Sequence, residues 1–532
     1  AAELAEEIAT SFDLLESSAA DLAPRHRSLR AAFEGSWRLL DEQQRGVFAG
    51  LSVFVGSFDR EMARATTDAD AAVMADLVAR SLVRRRADGR YEIHELLRQY
   101  AAAELGDSGR EDAVRDRHAR ALTARLRSDV PALESSASLK TRARLAPDYG
   151  NLRAAMEWAV RRWPNDEVEQ LLLPASTLWT MAVDPVAVEM WTAIAAAARE
   201  PAPSRAETAP PLADLVAPHL AFAYAIVDDN EAADAAVEAS LPVLEAAGRT
   251  TEVALCRMVL GIDHCNRNEN EAAIEPLESA DAVLRDPEHR LVRGELQTWL
   301  GWARLMTDDA AGAREAFELA YALCNGLGEP LATAFAVSKL ALLEDFAERY
   351  EAGLELHLDA FAQFDAAGNA GGVGYALSRA SFTAYCLGRY QAALDFAHAS
   401  YQGFREINHH WGLILVTARM GFAYLGLQRP DEAERWGLHS LELVHAEDRA
   451  GKLHSLGPIA GASARRGQLD GLRMLRAIVA DAELPPFLAT QVRRELAVAE
   501  RKFGEPPEGE PFDLDTEMVR LLERPHPAPV LR

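Results

Sequence analysis

LGRYQAALDFAHAS, residues 387–400, carries the clearest signal of the architecture of this chain. It places small side chains at Ala393 and Ser400, seven residues apart and therefore on one face of a helix. Small residues recur 40 positions before and after each of these two sites. We therefore expect this helix to be one copy of a repeated unit.

Four positions follow the 40-residue period through six copies. The first slot is always small: Ala221, Gly261, Gly301, Ala341, Ser381, Gly421. So is the second: Ala233, Ala273, Ala313, Gly353, Ala393, Ala433. So is the third: Ser240, Ala280, Ala320, Ala360, Ser400, Ser440. The fourth is apolar: Leu244, Leu284, Cys324, Phe364, Phe404, Val444. A degenerate seventh copy keeps Gly461, Ala480 and Leu484.

The spacing of these slots resembles the tetratricopeptide pattern, in which two helices pack closely only where side chains are small. A period of 40 in place of about 34 predicts longer helices or longer loops. Stacked helix hairpins of this kind form an α-solenoid with one concave face, which the first helix of each pair lines. The predicted fold class is mainly α: a winged-helix domain with a small β-hairpin, followed by this solenoid.

One inward slot is basic in three successive copies: Lys339, Arg379 and Arg419. Other inward slots are aromatic: Trp302, Phe335, Tyr375, Phe382, Tyr385, Phe422. Together they predict a groove that holds a carboxylate or phosphate by charge-assisted hydrogen bonds and stacks rings on the ligand's apolar part. The alternative is that the cations pair with local acids such as Glu344 and Asp345, and that the aromatic residues are core.

The N-terminal part has a different pattern. Apolar stripes predict helices at 3–16 and 28–40, and Asp41, Asp59 and Asp70 are candidate N-caps for three further helices. The stretches 82–86 and 90–93 alternate around an Ala-Asp-Gly turn, which predicts a β-hairpin. A helix follows from Glu95, with His94 at the corner. Helices, a two-stranded wing and a further helix are typical of a winged helix.

Several motifs carry a family resemblance: RHRSLRAAFEGSWRLLDEQQRGVFAGLSVFVGSFD (25–59), LVARSLVRRR (77–86), YEIHELLRQYAAAEL (91–105) and DYGNLRAAMEWAV (148–160). They resemble the winged helix, and the hairpin after it, of bacterial STAND signal-transduction ATPases, the class of the MalT-type and AfsR-type regulators and their cyclase-linked relatives. The resemblance implies that this winged helix packs on a nucleotide-binding domain instead of reading DNA. It also implies that His94 contacts the β-phosphate of ADP and holds the resting state.

The phosphate-binding loop of such ATPases, GxxxxGK[ST], does not occur in this sequence. We therefore expect ADP or ATP only with a nucleotide-binding domain upstream of residue 1, and no cofactor in this chain. The expected organisation is the end of a helical domain (1–24), the winged helix (25–110), first hairpins (111–210), the repeat array (211–485) and a capping helix with tail (486–532). Residues 200–211, rich in proline and alanine, are the expected main boundary.

Charge and composition narrow the function. The net charge is −26: residues 1–164 carry 25 basic and 26 acidic side chains, and the other 368 carry 31 and 56. A surface this acidic repels phosphate backbones. We therefore do not expect the array to bind nucleic acid. No apolar run approaches the ~18 residues of a membrane span, the N-terminus is not a signal peptide, and the four cysteines form no CxxC pair. We expect a cytoplasmic protein with reduced thiols.

Two further motifs have competing interpretations. The three arginines 84–86 are either a DNA-binding wing or, as we favour, a solvated hairpin edge or domain contact. Adjacent His409 and His410 point about 100° apart on a helix, which suits loop-end residues better than metal ligands. No arrangement typical of a catalytic site is present, so we predict no enzyme in this chain.

The predicted function is the sensor part of a STAND-type regulator. Its array would bind a protein, a peptide or a small anionic ligand, and its winged helix would hold the ADP-bound state, with oligomerisation on activation. The alternative is a stand-alone tetratricopeptide scaffold for protein–protein interaction.

Overall fold

The computed structural model describes residues 34–179, 185–200, 210–227, 229–445, 448–503 and 513–523. The chain divides into two compact units, residues 1–259 and 260–532, and the division falls within one repeat helix, Thr250–Asn266. The helix predicted at 3–16, residues 28–33 of that predicted at 28–40 and most of the expected linker at 200–211 lie outside the described residues, and residues 34–38 are helical as predicted.

The first unit contains a winged helix, as predicted. Its elements are α1 (Glu42–Gly50), α2 (Arg60–Thr67), α3 (Ala71–Ala79), β1 (Arg84–Arg85), β2 (Tyr91–Glu92) and α4 (Glu95–Asp107). Asp41, Asp59 and Asp70 each accept a hydrogen bond at 2.8 Å from the amide three residues on, which confirms the predicted N-caps. The antiparallel hairpin is confirmed too, although its paired strands are shorter than the sequence indicated.

The wing is fixed against the helices that follow it. These helices are α5 (Glu111–Leu133), α6 (Ser138–Leu145), α7 (Tyr149–Arg162), α8 (Asn165–Trp179) and α9 (Pro185–Arg199). The buried Asn151 amide donates to the Ser57 carbonyl at 2.9 Å and accepts from the Val55 amide at 2.7 Å. Arg90, at the start of the second wing strand, forms an ion pair with buried Asp148. These contacts hold the wing, and the corner at His94, on a rigid support.

The repeats are antiparallel helix pairs. Their helices are α10 (Leu212–Ile226), α11 (Asn230–Ala246), α12 (Thr250–Asn266), α13 (Asn270–Val283), α14 (Arg290–Met306), α15 (Ala310–Leu327), α16 (Pro330–Phe346), α17 (Tyr350–Ala366), α18 (Ala370–Cys386), α19 (Tyr390–Glu406), α20 (His410–Gly426), α21 (Pro430–Glu442), α22 (Arg449–Arg465) and α23 (Leu469–Ala480). Two more helices follow: α24 (Pro486–Phe503) and α25 (Leu514–Leu522).

The additional length of each repeat lies in its helices. Helices α16 to α20 all have 17 residues, and only three residues separate each from the next. The first helices of neighbouring hairpins contact one another, α16 with α18, α18 with α20 and α20 with α22. They therefore form one continuous surface of the second unit, called the inner face below.

The small slots lie where the helices of a pair approach most closely. Ala341, Ala393, Ala433 and their equivalents are fully buried. A Cβ atom added to Gly301 would lie 2.5 Å from the ring of Phe317 on the paired helix. The larger apolar residues of the fourth slot fill the space next to these close contacts, and those from Leu244 to Phe404 are buried. Small residues in these slots are therefore a steric requirement of the hairpin.

Two further properties of the described residues concern membrane-spanning helices and the state of the cysteines. No helix among them has both the length and the apolar character needed to cross a bilayer. The four cysteines are free thiols and buried. Burial raises the pKa of each thiol to about 12, so none of them is a reactive thiolate at neutral pH.

We predict that Gly301→Ala lowers the unfolding temperature of the second unit, because the new methyl group overlaps the Phe317 ring, at a cost of about 1–3 kcal/mol. Gly326→Ala, on α15, is the matched control, since its Cβ would meet no atom within 4 Å. The control should be neutral or stabilising by up to about 0.5–1 kcal/mol. Calorimetry of both variants checks this, and equal effects would contradict the steric argument.

Candidate functional site

Lys339, Arg379 and Arg419 lie on the first helices of three successive hairpins, α16, α18 and α20. We call these three residues the cation row. Arg419 is buried, whereas Lys339 and Arg379 are partly exposed. Within the described residues none of the three has a carboxylate oxygen within 4 Å, although arginines elsewhere in the unit, such as Arg449 and Arg465, form ion pairs.

Aromatic rings surround the cation row. The ammonium group of Lys339 lies 4.8 Å from the ring centre of Trp302 and 5.9 Å from that of Trp299. The guanidinium of Arg379 lies 4.1 Å from the ring centre of Phe487. The guanidinium of Arg419 donates to the hydroxyl of Ser378. The close contacts of these cations are therefore aromatic rings and one neutral hydroxyl, while the carboxylates of Glu295 and Asp345 act on them only from beyond ion-pair distance.

The acids that the sequence offered as alternative partners are engaged elsewhere. Glu344 forms ion pairs with Arg314, at 2.8 Å, and with Arg349. Asp345 accepts hydrogen bonds from the Thr383 hydroxyl at 2.9 Å and interacts with the His357 ring at 2.8 Å. Local ion pairing therefore does not account for the cation row.

Burial, and for Lys339 and Arg419 also the charge of Arg379, lowers the pKa values of the cation row. Burial and the charge of Arg379 lower the pKa of Lys339 to about 8. Burial also lowers the pKa of Arg379, which the charge of Asp345 partly opposes, and it holds that of Arg419 well below its usual range. Burial lowers the pKa of His454 to about 3, with Arg419 and Arg379 acting in the same direction. A bound anion would relieve this unfavourable electrostatic environment.

The aromatic candidates separate into three groups. Trp302 stacks on Lys339, as described. Phe382, Tyr385 and Phe422 are buried together in one cluster, which also includes Leu488 and Val492 of α24. Phe335 packs against Phe364, and Tyr375, which is 38% exposed, packs against Phe404 and His409.

Helix α24 lies across the inner face. Its Phe487 ring is 4.6 Å from the ring of Phe346 and 5.3 Å from that of Phe382. One further contact point is Glu495, which accepts hydrogen bonds from the Tyr385 hydroxyl at 2.9 Å and from Arg465 at 2.9 Å. The groove residues Phe382, Tyr385 and Phe422 are thus covered by the chain itself.

Sequence reasoning missed three residues of this site. Trp299 stands 40 positions before Lys339, so the repeat register could have identified it. Phe487 and Glu495 belong to a helix outside the repeat, and no periodic signal connects them to the inner face.

His94 lies on the winged helix, at the corner that the sequence indicated. It is the N-cap of α4, and its Nδ1 accepts a long hydrogen bond of 3.4 Å from the Leu96 amide. An Nδ1 that accepts leaves the proton on Nε2 in the neutral ring. The side chain is exposed. His94 therefore presents a hydrogen-bond donor on the surface of the first unit.

The other two motifs have structural roles. Arg84 and Arg86 form ion pairs across the hairpin with Glu92, and Arg86 also pairs with Asp88. Such compensation suits a hairpin edge better than a surface for phosphate binding. His409 is the N-cap of α20 and accepts from the Gly412 amide at 3.0 Å, in agreement with the loop-end interpretation.

Comparison with known sequences finds mycobacterial relatives over part of the chain. Proteins of Mycobacterium tuberculosis (strain H37Rv) and Mycobacterium bovis, each described as "Putative HTH-type transcriptional regulator", are 34% identical to it over 188 residues. The alignment covers 33% of this chain and 21% of each relative, so the chain matches about a fifth of the length of these relatives. No protein-family model matches the sequence.

Comparison with solved structures supports the predicted fold. A STAND protein with a tetratricopeptide repeat sensor from Pyrococcus horikoshii aligns with a TM-score of 0.60 at 14% identity, over 91% of this chain and 68% of that chain. A Rap protein complexed with competence and sporulation factor aligns with a TM-score of 0.45 at 12% identity, over 67% of this chain and 100% of that chain. The alignment with the Pyrococcus horikoshii protein shows a shared, mainly α fold with tetratricopeptide-like hairpins.

We predict that Lys339→Met stabilises the second unit at pH 7 and that the gain shrinks as the pH rises to 10. The pKa of Lys339 is lowered to about 8 in the folded chain, from its ordinary value of 10.5. The cost of charging this lysine is therefore fully present below pH 8 and is relieved between pH 8 and 10.5.

Calorimetric unfolding at both pH values measures the effect. Lys452→Met, which removes a lysine from α22, controls for general pH trends. Loss of stability in Lys339→Met at pH 7, or an equal gain at both pH values, would contradict the electrostatic argument.

Proposed function

We propose that this chain is the sensor part of a STAND-type regulator and acts by binding, without catalysing a reaction. In this proposal the second unit binds a protein, peptide or small anionic ligand at its inner face. The winged helix meets a nucleotide-binding domain of the same cytoplasmic protein and stabilises its ADP-bound state. Ligand binding would then favour an open form that releases ADP and oligomerises.

The exposed imidazole of His94 is the observation that carries the nucleotide part of the proposal. Its Nε2–H is the donor that a phosphate oxygen of ADP would accept, and the contacts of Asn151 and Arg90 fix the corner from which it projects. A hydrogen bond from a neutral donor to a charged phosphate contributes about 1.5–3 kcal/mol. That range corresponds to roughly 10- to 100-fold in ADP affinity.

The cation row supports the ligand part of the proposal. A cluster of cations without carboxylate partners costs folding free energy, and a ligand-binding role is a physical reason for keeping it. A scaffold that binds proteins on its outer helices has no use for charges in this position.

We predict that His94→Asn, made in the complete reading frame, releases ADP about 10- to 100-fold faster than the unaltered protein. Asparagine is as good an N-cap as any residue, so this variant keeps α4 capped and loses only the imidazole. His410→Ala, in the second unit, is the control. ADP retained on purification and its release rate in a chase with excess ATP are the measurements.

The outcomes separate the two hypotheses for function. Retained ADP with fast release from His94→Asn supports the switch. Retention that is unchanged in His94→Asn assigns His94 to helix capping alone. A complete reading frame without a phosphate-binding loop, or a protein that never binds nucleotide, leaves the tetratricopeptide scaffold as the better account.

A further inference from the structure

The first eleven residues of α24 cover the part of the inner face where the cation row lies. Phe487 packs between Phe346 and Phe382 and stacks on the guanidinium of Arg379. Leu488, the next residue, and Val492, just over one turn beyond Phe487, are fully buried in the cluster that includes Phe422. An aromatic ring on a guanidinium is a contact that a ligand could reproduce.

This contact leaves polar groups unsatisfied. Nη1 of Arg379 is buried and has no hydrogen-bond partner within the described residues. Nε2 of Gln491, on the buried side of α24, also has no hydrogen-bond partner among the described residues, and this side chain is only 2% exposed. A buried polar group without a hydrogen-bond partner lowers the stability of the interface. The apolar contacts of α24 are thus partly offset, and the interface is one that a better-matched occupant could replace.

The only carboxylate that α24 buries here does not reach the cation row. Glu495 lies eight residues beyond Phe487 and is held by Tyr385 and Arg465 at 2.9 Å each. Phe487 thus supplies the aromatic half of an occupant for this site, and nothing on α24 among the described residues supplies the anionic half.

The charge balance around Arg379 favours a monoanion. Arg379 and Arg419 carry two positive charges, and Asp345 supplies one negative charge through its influence on both. His357 and His454 have pKa values lowered by burial and add no charge at neutral pH. Lys339, the third cation of the row, is opposed by the Glu295 carboxylate. One net positive charge remains, flanked by the rings of Phe346 and Phe382.

We propose that Phe487 occupies the aromatic subsite of a ligand that carries a carboxylate beside an aromatic ring. The ring of the ligand replaces Phe487 between Phe346 and Phe382, its carboxylate pairs with Arg379 and Arg419, and α24 leaves the inner face. The proposal rests on the sensor function proposed above and specifies its ligand class. Free aromatic acids and peptides that end in an aromatic residue share this chemistry.

Titration calorimetry with the whole chain and N-acetyl-L-phenylalanine tests the proposal. N-acetyl-L-phenylalaninamide, which lacks only the carboxylate, should bind at least tenfold more weakly, because the charge-assisted hydrogen bonds are lost. Arg379→Gln should weaken binding of the acid at least tenfold. Arg405→Gln, at an exposed position on α19, is the control and should leave binding unchanged.

Whether α24 competes with the ligand is tested by the direction in which a Phe487 substitution changes the affinity for the acid. Phe487→Ala should bind the acid about tenfold more tightly than the unaltered chain, because the site no longer has to be vacated. Phe487→Leu keeps an apolar side chain while losing the ring, so it serves if the alanine variant does not fold. Weaker binding by a folded variant would make Phe487 a wall of the site and overturn the proposal.

A third binding comparison distinguishes peptides from free aromatic acids as the ligand. A hexapeptide ending in phenylalanine with a free C-terminus should bind at least tenfold more tightly than the N-acetylated amino acid if peptides are the ligands, and equally if free acids are. Absence of binding in both the unaltered chain and the Phe487 variants, or equal binding of acid and amide, would overturn the ligand class. That failure would leave the His94 experiment unaffected, because it measures ADP release from the complete protein and depends on a residue of the first unit.

Discussion

The close approach of the two helices in each hairpin is the constraint on which the second unit depends. Residues without a large side chain at positions such as Gly301 and Ala393 let the backbones meet, and the larger fourth-slot residues fill the space beyond. Interiors packed at crystal density tolerate little deviation from this arrangement. Because each hairpin repeats the contact with a 40-residue register, equivalent side chains of successive first helices come to lie side by side. The cation row is a direct consequence.

The positive charges of the cation row are unusual within this regular packing. Lys339, Arg379 and Arg419 share one surface, the charge of Arg379 lowers the pKa values of the other two, and no described carboxylate forms an ion pair with any of them. Stability alone would favour apolar residues at these positions. In the proposal, these cations are the anion-binding groups of the inner face, and the covering helix α24 gives that site a closed state without ligand.

The winged helix shows a complementary arrangement. Its exposed group, His94, lies at a corner that is supported by the buried Asn151 amide and by the ion pair of Arg90 with buried Asp148. In the proposed mechanism, the first unit contributes a hydrogen-bond donor, His94, in a fixed position. The second unit contributes a helix, α24, that a ligand can displace. Each can be altered separately, because the two elements belong to different compact units.

Much of this organisation could be predicted from the sequence. Local signals placed the caps at Asp41, Asp59 and Asp70, because a capping aspartate acts within three residues of itself. The repeat register placed the cation row and the small slots, because it converts sequence separation into spatial adjacency. The position of α24 could not be predicted, since a helix outside the repeat has no register with the surface it covers. For the same reason the burial of Phe382, Tyr385 and Phe422 under Leu488 and Val492 had no sequence signal.

The central claim is that the inner face of the second unit is a ligand site closed by the chain's own helix. Hydrogen exchange of the α24 amides, in the whole chain with and without saturating N-acetyl-L-phenylalanine, tests it most directly. The account predicts that these amides lose protection when the acid is added, while those of α20 keep or gain it. Unchanged or increased protection of α24, under conditions where calorimetry shows the acid bound, would contradict the claim.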